Sequence, residues 1–293
     1  MLLCLALFAG LDSASVRDIQ LAPDETLRIT IEGSGRPVVF IPGVIGSAYA
    51  FRKVIPPLVE AGLQSIVIEP LGIGASARPS RADYSLTAQA DRIAAVLDTI
   101  GVSQALVVAH SLSVSMALRL AYRRPDLVAG VLAVNGGPVE AAATPGIKRA
   151  VKFAFLIKLF GDNSMVRNEI RKGLVETSGD PSWITPEVLD GYTAGRAGDL
   201  GSVLQAMKGM AKAKEAEPLT PHLAQITIPV RLLIGAAPHG SGIVPANTRL
   251  LRERIPGLVV DSIPGAGLHI HEEQPEVMVR KVLEMQAALA RGP

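Results

Sequence analysis

The sequence predicts an α/β fold, in which a mostly parallel, doubly wound sheet is covered by helices on both faces. Short, uninterrupted apolar runs alternate with segments in which apolar residues recur at helical spacing. Such runs are typical of strands buried on both faces, and their alternation with helices favours parallel neighbours. Several runs end in loops rich in small residues, at 42–47, 70–76 and 109–113. Between residues 137 and 223 only helical patterns follow one another, which predicts a helical cap inserted over the sheet.

The strands are predicted from two kinds of pattern. Residues 18–31 alternate apolar and polar side chains around Pro23-Asp24, which is typical of an antiparallel hairpin. The other strands are continuous apolar runs, at 37–41, 65–69, 105–109, 128–134, 228–234 and 258–263.

The helices are predicted from apolar residues spaced three and four apart and from capping residues. Ser85 is a good N-cap for a helix that ends before Gly101. Further helices of the core are predicted at 48–61, 114–121, 246–254 and 275–290, and helices of the cap at 147–160, 165–175, 186–196 and 200–213.

Composition narrows the class of protein. The chain has 293 residues, of which 48% are hydrophobic and 19% charged, so it can bury a large core and is too apolar for disorder. A net charge of +2, without a dense basic stripe, does not favour a nucleic-acid partner. No window reaches the roughly 18 to 20 apolar residues of a membrane span. The glycine loops match neither G-x-G-x-x-G nor the phosphate-binding lysine motif, and the histidines lack metal-ligand spacing, so neither a cofactor nor a metal is expected.

The first residues have a separate pattern. Residues 1–11 are almost wholly apolar and precede Asp-Ser-Ala-Ser, which resembles the apolar core and cleavage site of a secretory signal ending near Ser15. No Lys or Arg precedes the apolar run, so a misassigned start or a short helix packed on the domain is the alternative. A signal peptide over residues 1–15 would make the protein periplasmic or secreted, and its absence would make it cytoplasmic. Cys4, the only cysteine, lies here, so the body of the protein has no disulfide.

The stretch Ala109-His110-Ser111-Leu112-Ser113 is the strongest candidate for chemistry. A buried strand stops at Ser111 and a helix follows at once, with small residues two places before and two after the serine. This is the pattern of a nucleophile elbow, in a relaxed form that has Ala and Ser where G-x-S-x-G has glycine. The alternative is a serine that only caps the helix.

The order of elements and several motifs resemble the α/β-hydrolase family from about residue 18 to the C-terminus. These motifs are the loop at 38–47, the glycine-rich stretch at 69–79, the elbow at 109–113, and the segments 263–267 and 271–275. The resemblance implies a core formed by residues 16–136 and 224–293 and a cap formed by residues 137–223. It also implies acyl transfer through a serine, a histidine base and an acid.

The resemblance assigns Ser111 as the nucleophile and places the oxyanion hole at two backbone N–H groups. By position these belong to Leu112, directly after the serine, and to Val44, after Pro42-Gly43. Simple packing is the alternative role for both residues. Glu69 stands where the family often has aspartate at a strand end, and we interpret it as structural.

The predicted base departs from the family pattern. The family has glycine, histidine and two apolar residues ahead of His-Glu-Glu-Gln-Pro, whereas here Gly267 is followed by Leu268 and the histidine comes at His269. The spacing to His271 is kept, so two residues have changed places. His269 is the first candidate for the base, although one step along a loop can turn a side chain away from Ser111. The second candidate is His271, and the remaining histidines are interpreted as non-catalytic, at positions 110, 222 and 239.

The predicted acid departs further. Residues 236–245 contain no carboxylate, and counting back from Val244-Pro245 places Ser241 where the family has aspartate. Some family members carry the acid after the preceding strand, which corresponds here to Asn135, with Glu140 further along. Asparagine can hold an imidazole by a hydrogen bond but cannot stabilise imidazolium by charge, and losing that carboxylate cost a serine protease about 10⁴ in turnover. If Asn135 orients the base we expect a slow enzyme. The alternative is a turn residue.

Two functions follow from these residues. The first is a serine hydrolase acting on a small or medium apolar ester or related acyl compound. The second is a non-catalytic or impaired member of the same fold that binds a small molecule or a partner. A short distance between His269 and Ser111 would favour the first, and a base held away from Ser111 would favour the second. The sequence does not indicate an oligomeric state.

Overall fold

The computed structural model describes residues 14–144, 146–148, 151, 163–194, 200–240 and 242–291. The predicted signal peptide at 1–15 and the predicted cap helix at 147–160 therefore lie almost wholly outside the described residues. In this part of the chain, eight strands form one sheet in the order β1-β2-β4-β3-β5-β6-β7-β8. The strands are β1 (Ser15–Ala22), β2 (Glu25–Glu32), β3 (Arg36–Ile41), β4 (Leu63–Ile68), β5 (Ala105–His110), β6 (Val128–Val134), β7 (Val230–Gly235) and β8 (Val259–Ile263).

The sheet is mostly parallel, as the sequence predicts. The pairs β1/β2 and β2/β4 are antiparallel, and β1/β2 is the predicted hairpin. Every other neighbouring pair is parallel. The α/β fold with a mostly parallel, doubly wound sheet is thereby confirmed.

Nine α-helices are described alongside the sheet, with three 3₁₀ turns at Ala48–Phe51, Pro181–Trp183 and Thr220–Gln225. The helices are α1 (Ile55–Glu60), α2 (Leu86–Thr99), α3 (Ser113–Arg123), α4 (Asn163–Thr177), α5 (Pro186–Thr193), α6 (Leu200–Lys212), α7 (Pro245–Arg254), α8 (Ile270–Glu273) and α9 (Pro275–Arg291). The helices α4, α5 and α6 come between β6 and β7, where the cap is predicted.

The two faces of the sheet are covered by different helices because strand side chains alternate. Leu106 and Val108 of β5 pack in one cluster with side chains of α1 and α9. Val107 and Ala109 of the same strand pack in the opposite cluster with α2 and α3. Residues at the carboxyl end of β5 therefore stand on a strand that is buried from both sides. Among the described residues no helix is long and apolar enough to cross a membrane.

Two helix predictions have instructive outcomes. Ser85 is the N-cap of α2, and its hydroxyl accepts a hydrogen bond from the Ala88 N–H, as predicted. The single helix predicted at 48–61 is instead a 3₁₀ turn followed by the short α1. Pro56 and Pro57 have no N–H to donate, so they fit only in the first turn of a helix and force a new start there.

Candidate functional site

Ser111 lies at the turn between β5 and α3, as the elbow pattern predicts. Its φ is +55°, in the left-handed region that is costly for a residue other than glycine. The strained turn is held by the hydrogen bond from the Ser111 N–H to the Val134 carbonyl, 2.9 Å long. A Cβ at Gly136 would come within 2.1 Å of the Ser111 carbonyl oxygen, so only glycine fits beside the turn.

Leu112 and Val44, the predicted oxyanion donors, stand on two neighbouring loops. Within the described residues the Leu112 N–H makes no hydrogen bond, and it precedes the first turn of α3. The Ser113 hydroxyl donates to the Pro42 carbonyl at 2.7 Å, which ties the elbow to the loop that contains Val44. A donor ahead of a helix N-terminus suits an oxygen that carries negative charge.

His269 is held by the cap. Its ring is buried, and Nε2 lies 2.9 Å from the Thr177 Oγ1 at the end of α4. The ring of Trp183 lies 5.5 Å away, centroid to centroid, and Nδ1 is buried with no hydrogen-bond partner in the described part of the chain. Within the described residues no hydrogen bond joins His269 to Ser111. Burial lowers the pKa of His269 well below its ordinary value, so the ring is neutral at pH 7.

Leu268 explains why His269 turns toward the cap. The Leu268 N–H donates to the Thr177 carbonyl at 2.8 Å. Its carbonyl accepts hydrogen bonds from His110 Nε2 and from Asn135 Nδ2, each 3.0 Å long. With the peptide groups on both sides of Leu268 fixed, the next side chain is directed at Thr177.

Asn135 contacts the backbone of the loop at 264–269, between β8 and α8, which we call the histidine loop, and does not contact an imidazole. Its Nδ2 donates to the carbonyls of Gly267 at 2.9 Å and Leu268, and its Oδ1 accepts from the Gly235 N–H at 2.9 Å. Both ends of the amide are thus occupied by backbone groups, and within the described residues Asn135 makes no hydrogen bond to an imidazole; its role in orienting a base stays a prediction. Asn135, with φ +47°, joins the ends of β6 and β7 to the histidine loop.

The other candidates also have structural partners. The Glu140 carboxylate accepts from the N–H groups of Leu219 and Thr220. The Glu69 carboxylate accepts from the Ala48 N–H at 2.8 Å and the Ala75 N–H at 2.5 Å, in agreement with a structural role. Ser241, in the place of the family's acid, lies outside the described residues.

His110 and His271 form a buried cluster with His269. The ring centroid of His110 lies 4.6 Å from that of His271 and 5.6 Å from that of His269. Burial lowers the pKa of His110 to about 4 and that of His271 well below its ordinary value. His110 carries its proton on Nε2, because that nitrogen donates to the Leu268 carbonyl. These rings are poor proton acceptors at neutral pH.

Two adjacent glutamates attach the histidine loop to its surroundings. Glu273 Oε2 accepts from the N–H groups of Gly179 and Asp180 in the cap, and from the Gly267 N–H at 3.0 Å. The buried Glu272 carboxylate binds Arg52 and accepts from the Tyr192 hydroxyl at 2.9 Å. Sequence reasoning missed Thr177 and these contacts, although His-Glu-Glu-Gln-Pro was a visible signal for the glutamates.

Replacing Asn135 with alanine is expected to lower the free energy of unfolding by about 3 kcal/mol, because two buried carbonyls and one buried N–H lose their partner. Urea denaturation followed by circular dichroism measures this. Asn135→Gly is the matched control, since glycine accepts the positive φ but makes no side-chain hydrogen bond. Equal stability of wild type and both variants would contradict the role given to the amide.

Within the described residues, no group of three or more His, Cys, Asp or Glu side chains is arranged to hold a metal ion. The arrangement offers three groups: the Ser111 hydroxyl on a strained backbone turn, the Leu112 N–H beside it, and the His269 ring, which is bonded to Thr177 and not to Ser111.

Comparisons with known proteins agree with this architecture. A family model described as alpha/beta hydrolase fold matches residues 36–156. The chain is 25% identical to an uncharacterized hydrolase, YugF, of Bacillus subtilis, over 84% of this chain and 88% of that protein. It is 26% identical to the 2-(acetamidomethylene)succinate hydrolase of Mesorhizobium japonicum, over 88% of this chain and 90% of that protein.

Among solved structures, the epoxide hydrolase CorEH superimposes with a TM-score of 0.78 at 20% identity, covering 94% of this chain and all of that one. An N-acyl homoserine lactone degrading enzyme, Est816, superimposes with a TM-score of 0.70 at 21% identity, covering 92% and 99%. At these identities the superpositions show a shared fold.

Proposed function

Because the chain belongs to the α/β-hydrolase fold family, as a distant homologue of hydrolases, we propose that it binds a small or medium apolar acyl compound over Ser111. Binding is its main activity, and hydrolysis of the bound compound is slow. The acyl oxygen accepts from the backbone N–H of Leu112. Ser111 lies directly beneath the carbonyl carbon.

One observation carries the proposal: His269 Nε2 is engaged by Thr177 and not by Ser111. A serine hydroxyl is a weak nucleophile unless a base lies within hydrogen-bond reach. General-base assistance contributes about 10² to 10⁴ in rate, so its loss leaves binding and the oxyanion donors largely intact while turnover falls.

Binding can be measured with the protein's own fluorophore. Trp183 is the only tryptophan and lies 5.5 Å from the His269 ring. We expect methyl esters of increasing chain length to change its fluorescence in a saturable manner, with affinity rising with length. Ser111→Ala removes only the hydroxyl and is expected to bind equally well. An absence of saturable binding by both proteins would overturn the proposal.

A second function, that of a slow ester hydrolase, is favoured by the elbow itself. Ser111 keeps a φ of +55°, and strain of this kind persists where the surrounding structure enforces it, commonly at functional sites. On this view a panel of 4-nitrophenyl esters is turned over by wild type above the level of Ser111→Ala. Equal rates for the two proteins would leave binding as the function.

A further inference from the structure

We propose that the protein forms a two-fold symmetric dimer, in which the groove between α1 and α9 of each copy receives the α9 helix of the other. The groove shares no residue with the site at Ser111, so the dimer goes beyond the proposed function and does not depend on it. Three features of the groove point to a second copy: an uncovered apolar row, a balanced set of charges around that row, and the symmetry of those charges along α9.

The groove has an apolar floor that faces water. It is open, it has a volume of about 630 Å³, and its surface is almost wholly apolar. The floor is formed by Pro57 of α1 and by Pro275, Val279 and Leu283 of α9. Leu283 is 36% exposed. A single exposed leucine is ordinary, whereas a continuous apolar surface with a charged rim is typical of an interaction site.

The apolar row is open because α9 has two apolar flanks and α1 is short. Met278 and Val282 are among the residues that α9 buries. Pro275, Val279 and Leu283 recur at every fourth position and form a second row beside the buried one. The helix α1 has 6 residues and α9 has 17, which correspond to lengths of about 9 Å and about 25 Å. The shorter helix therefore cannot cover the second row of the longer one.

The rim of the groove carries equal numbers of positive and negative charges. Lys53 and Arg280 are positive, and Glu276 and Glu284 are negative. Such a rim does not favour a strongly charged occupant of either sign, but it suits a surface with the same mixture of charges. The Arg280 side chain is 59% exposed and its ion pair with Glu284 is loose, at 3.9 Å. Within the described part of the chain, Glu276 makes no ion pair, so both groups are available to another copy.

The spacing of Glu276 and Arg280 is what makes this surface complementary to itself. The two residues lie four positions apart in one row of α9, so they share one side of the helix. A two-fold axis at the level of Met278 makes the two α9 helices antiparallel, and Arg280 of each copy then lies level with Glu276 of the other. The same register brings Leu283 of each copy next to Pro275 of the other. Every contact occurs twice, so the assembly closes at two copies.

The dimer is expected to be weak. A contact made by one pair of helices lies at or below the lower end of the roughly 1,200 to 2,000 Å² that stable interfaces bury. Dissociation on dilution is therefore part of the expected behaviour.

Sedimentation velocity measures the association directly. For wild type we expect the mean mass to rise from that of one chain towards that of two between about 1 and 100 µM protein. Leu283→Asp places a carboxylate in the apolar row and is expected to keep the mass of one chain throughout. Val259→Asp is the matched control. Val259 is 49% exposed on β8, outside the groove, so this variant is expected to associate as wild type does.

Charge reversal tests the register. Arg280→Glu and Glu276→Arg each place like charges level with one another, and each is expected to weaken association about tenfold. The double variant has opposite charges level again and is expected to regain most of the wild-type affinity. The melting temperature of each variant distinguishes a lost dimer from an unfolded chain.

A wild-type protein that keeps the mass of one chain at the highest concentration would overturn the inference, and the groove would then belong to a different partner. Association of Leu283→Asp at the wild-type level would overturn it as well, because the dimer would then use another surface. A double charge variant that associates no better than the single variants would contradict the antiparallel register. The fluorescence titration judges the proposed binding function separately, since none of these substitutions lies in the site at Ser111.

Discussion

Replacing Leu268 with histidine is expected to raise the rate at which an alkyl fluorophosphonate labels Ser111 by about 100-fold over wild type. Residue 268 directly follows Gly267, which is the place of the histidine in the family pattern. The peptide groups around it are already held by Thr177, His110 and Asn135. The gain stays below that of a complete triad, because the loop after β7 offers no carboxylate, a loss that cost a serine protease about 10⁴.

Two controls make this outcome specific. Glutamine resembles histidine in size and polarity but is not a base. Leu268→Gln is therefore expected to label at the wild-type rate. The double variant Leu268→His with Ser111→Ala is expected to give no adduct. If Leu268→His folds with an unchanged melting temperature and labels no faster than Leu268→Gln, the position does not face the serine.

The free energy of unfolding is expected to fall steeply with acid. The folded-state pKa of His110 is about 4, below the ordinary value of 6.5, because burial disfavours the charged ring. Below pH 6.5 the His110 ring therefore binds a proton in the unfolded chain but not in the folded chain. The free energy of unfolding decreases as the pH falls from 6.5 towards 4. For His110 alone the loss is about 3 kcal/mol over that range. The pKa values of His269 and His271 are shifted in the same direction.

Positive charges beside the buried histidine cluster strengthen the expected loss of stability in acid. Arg52 and Lys53 lie close enough to lower the pKa of His271, and the neighbouring Glu272 carboxylate is already bound by both of them. Chemical denaturation at a series of pH values measures the slope. His271→Phe is expected to reduce it by about 1.4 kcal/mol per pH unit, the share of one proton. An unchanged slope would show that His271 is not the buried neutral ring described here.

The sequence was sufficient for features that depend on local patterns. The hairpin, the alternation of strands and helices along the chain, the N-cap at Ser85 and the turn at Ser111 each follow from spacing, capping residues or apolar periodicity. The break before α1 was also visible, in Pro56-Pro57, but apolar periodicity outweighed it. The apolar spacing predicts one continuous helix, which cannot form because the two prolines lack the N–H groups that it needs.

The partners within the site could not be predicted, because they join residues far apart in the chain. Thr177 lies 92 positions from His269, and no local pattern indicates that its hydroxyl meets that ring. Asn135 is visible in the sequence as a polar residue at a strand end, but no local pattern indicates that its amide holds the backbone of the histidine loop.

The crossing of the cap and the histidine loop has a consequence for local unfolding. A Cβ at Gly267 would lie 2.4 Å from the Gly179 nitrogen, so the two backbones touch, and the amides of Gly179, Asp180 and Leu268 donate across this contact. None of these amides can exchange its hydrogen with water unless the two segments separate. They therefore form one cooperative unit, whose protection from hydrogen exchange rises and falls together although its halves are almost ninety residues apart in the chain.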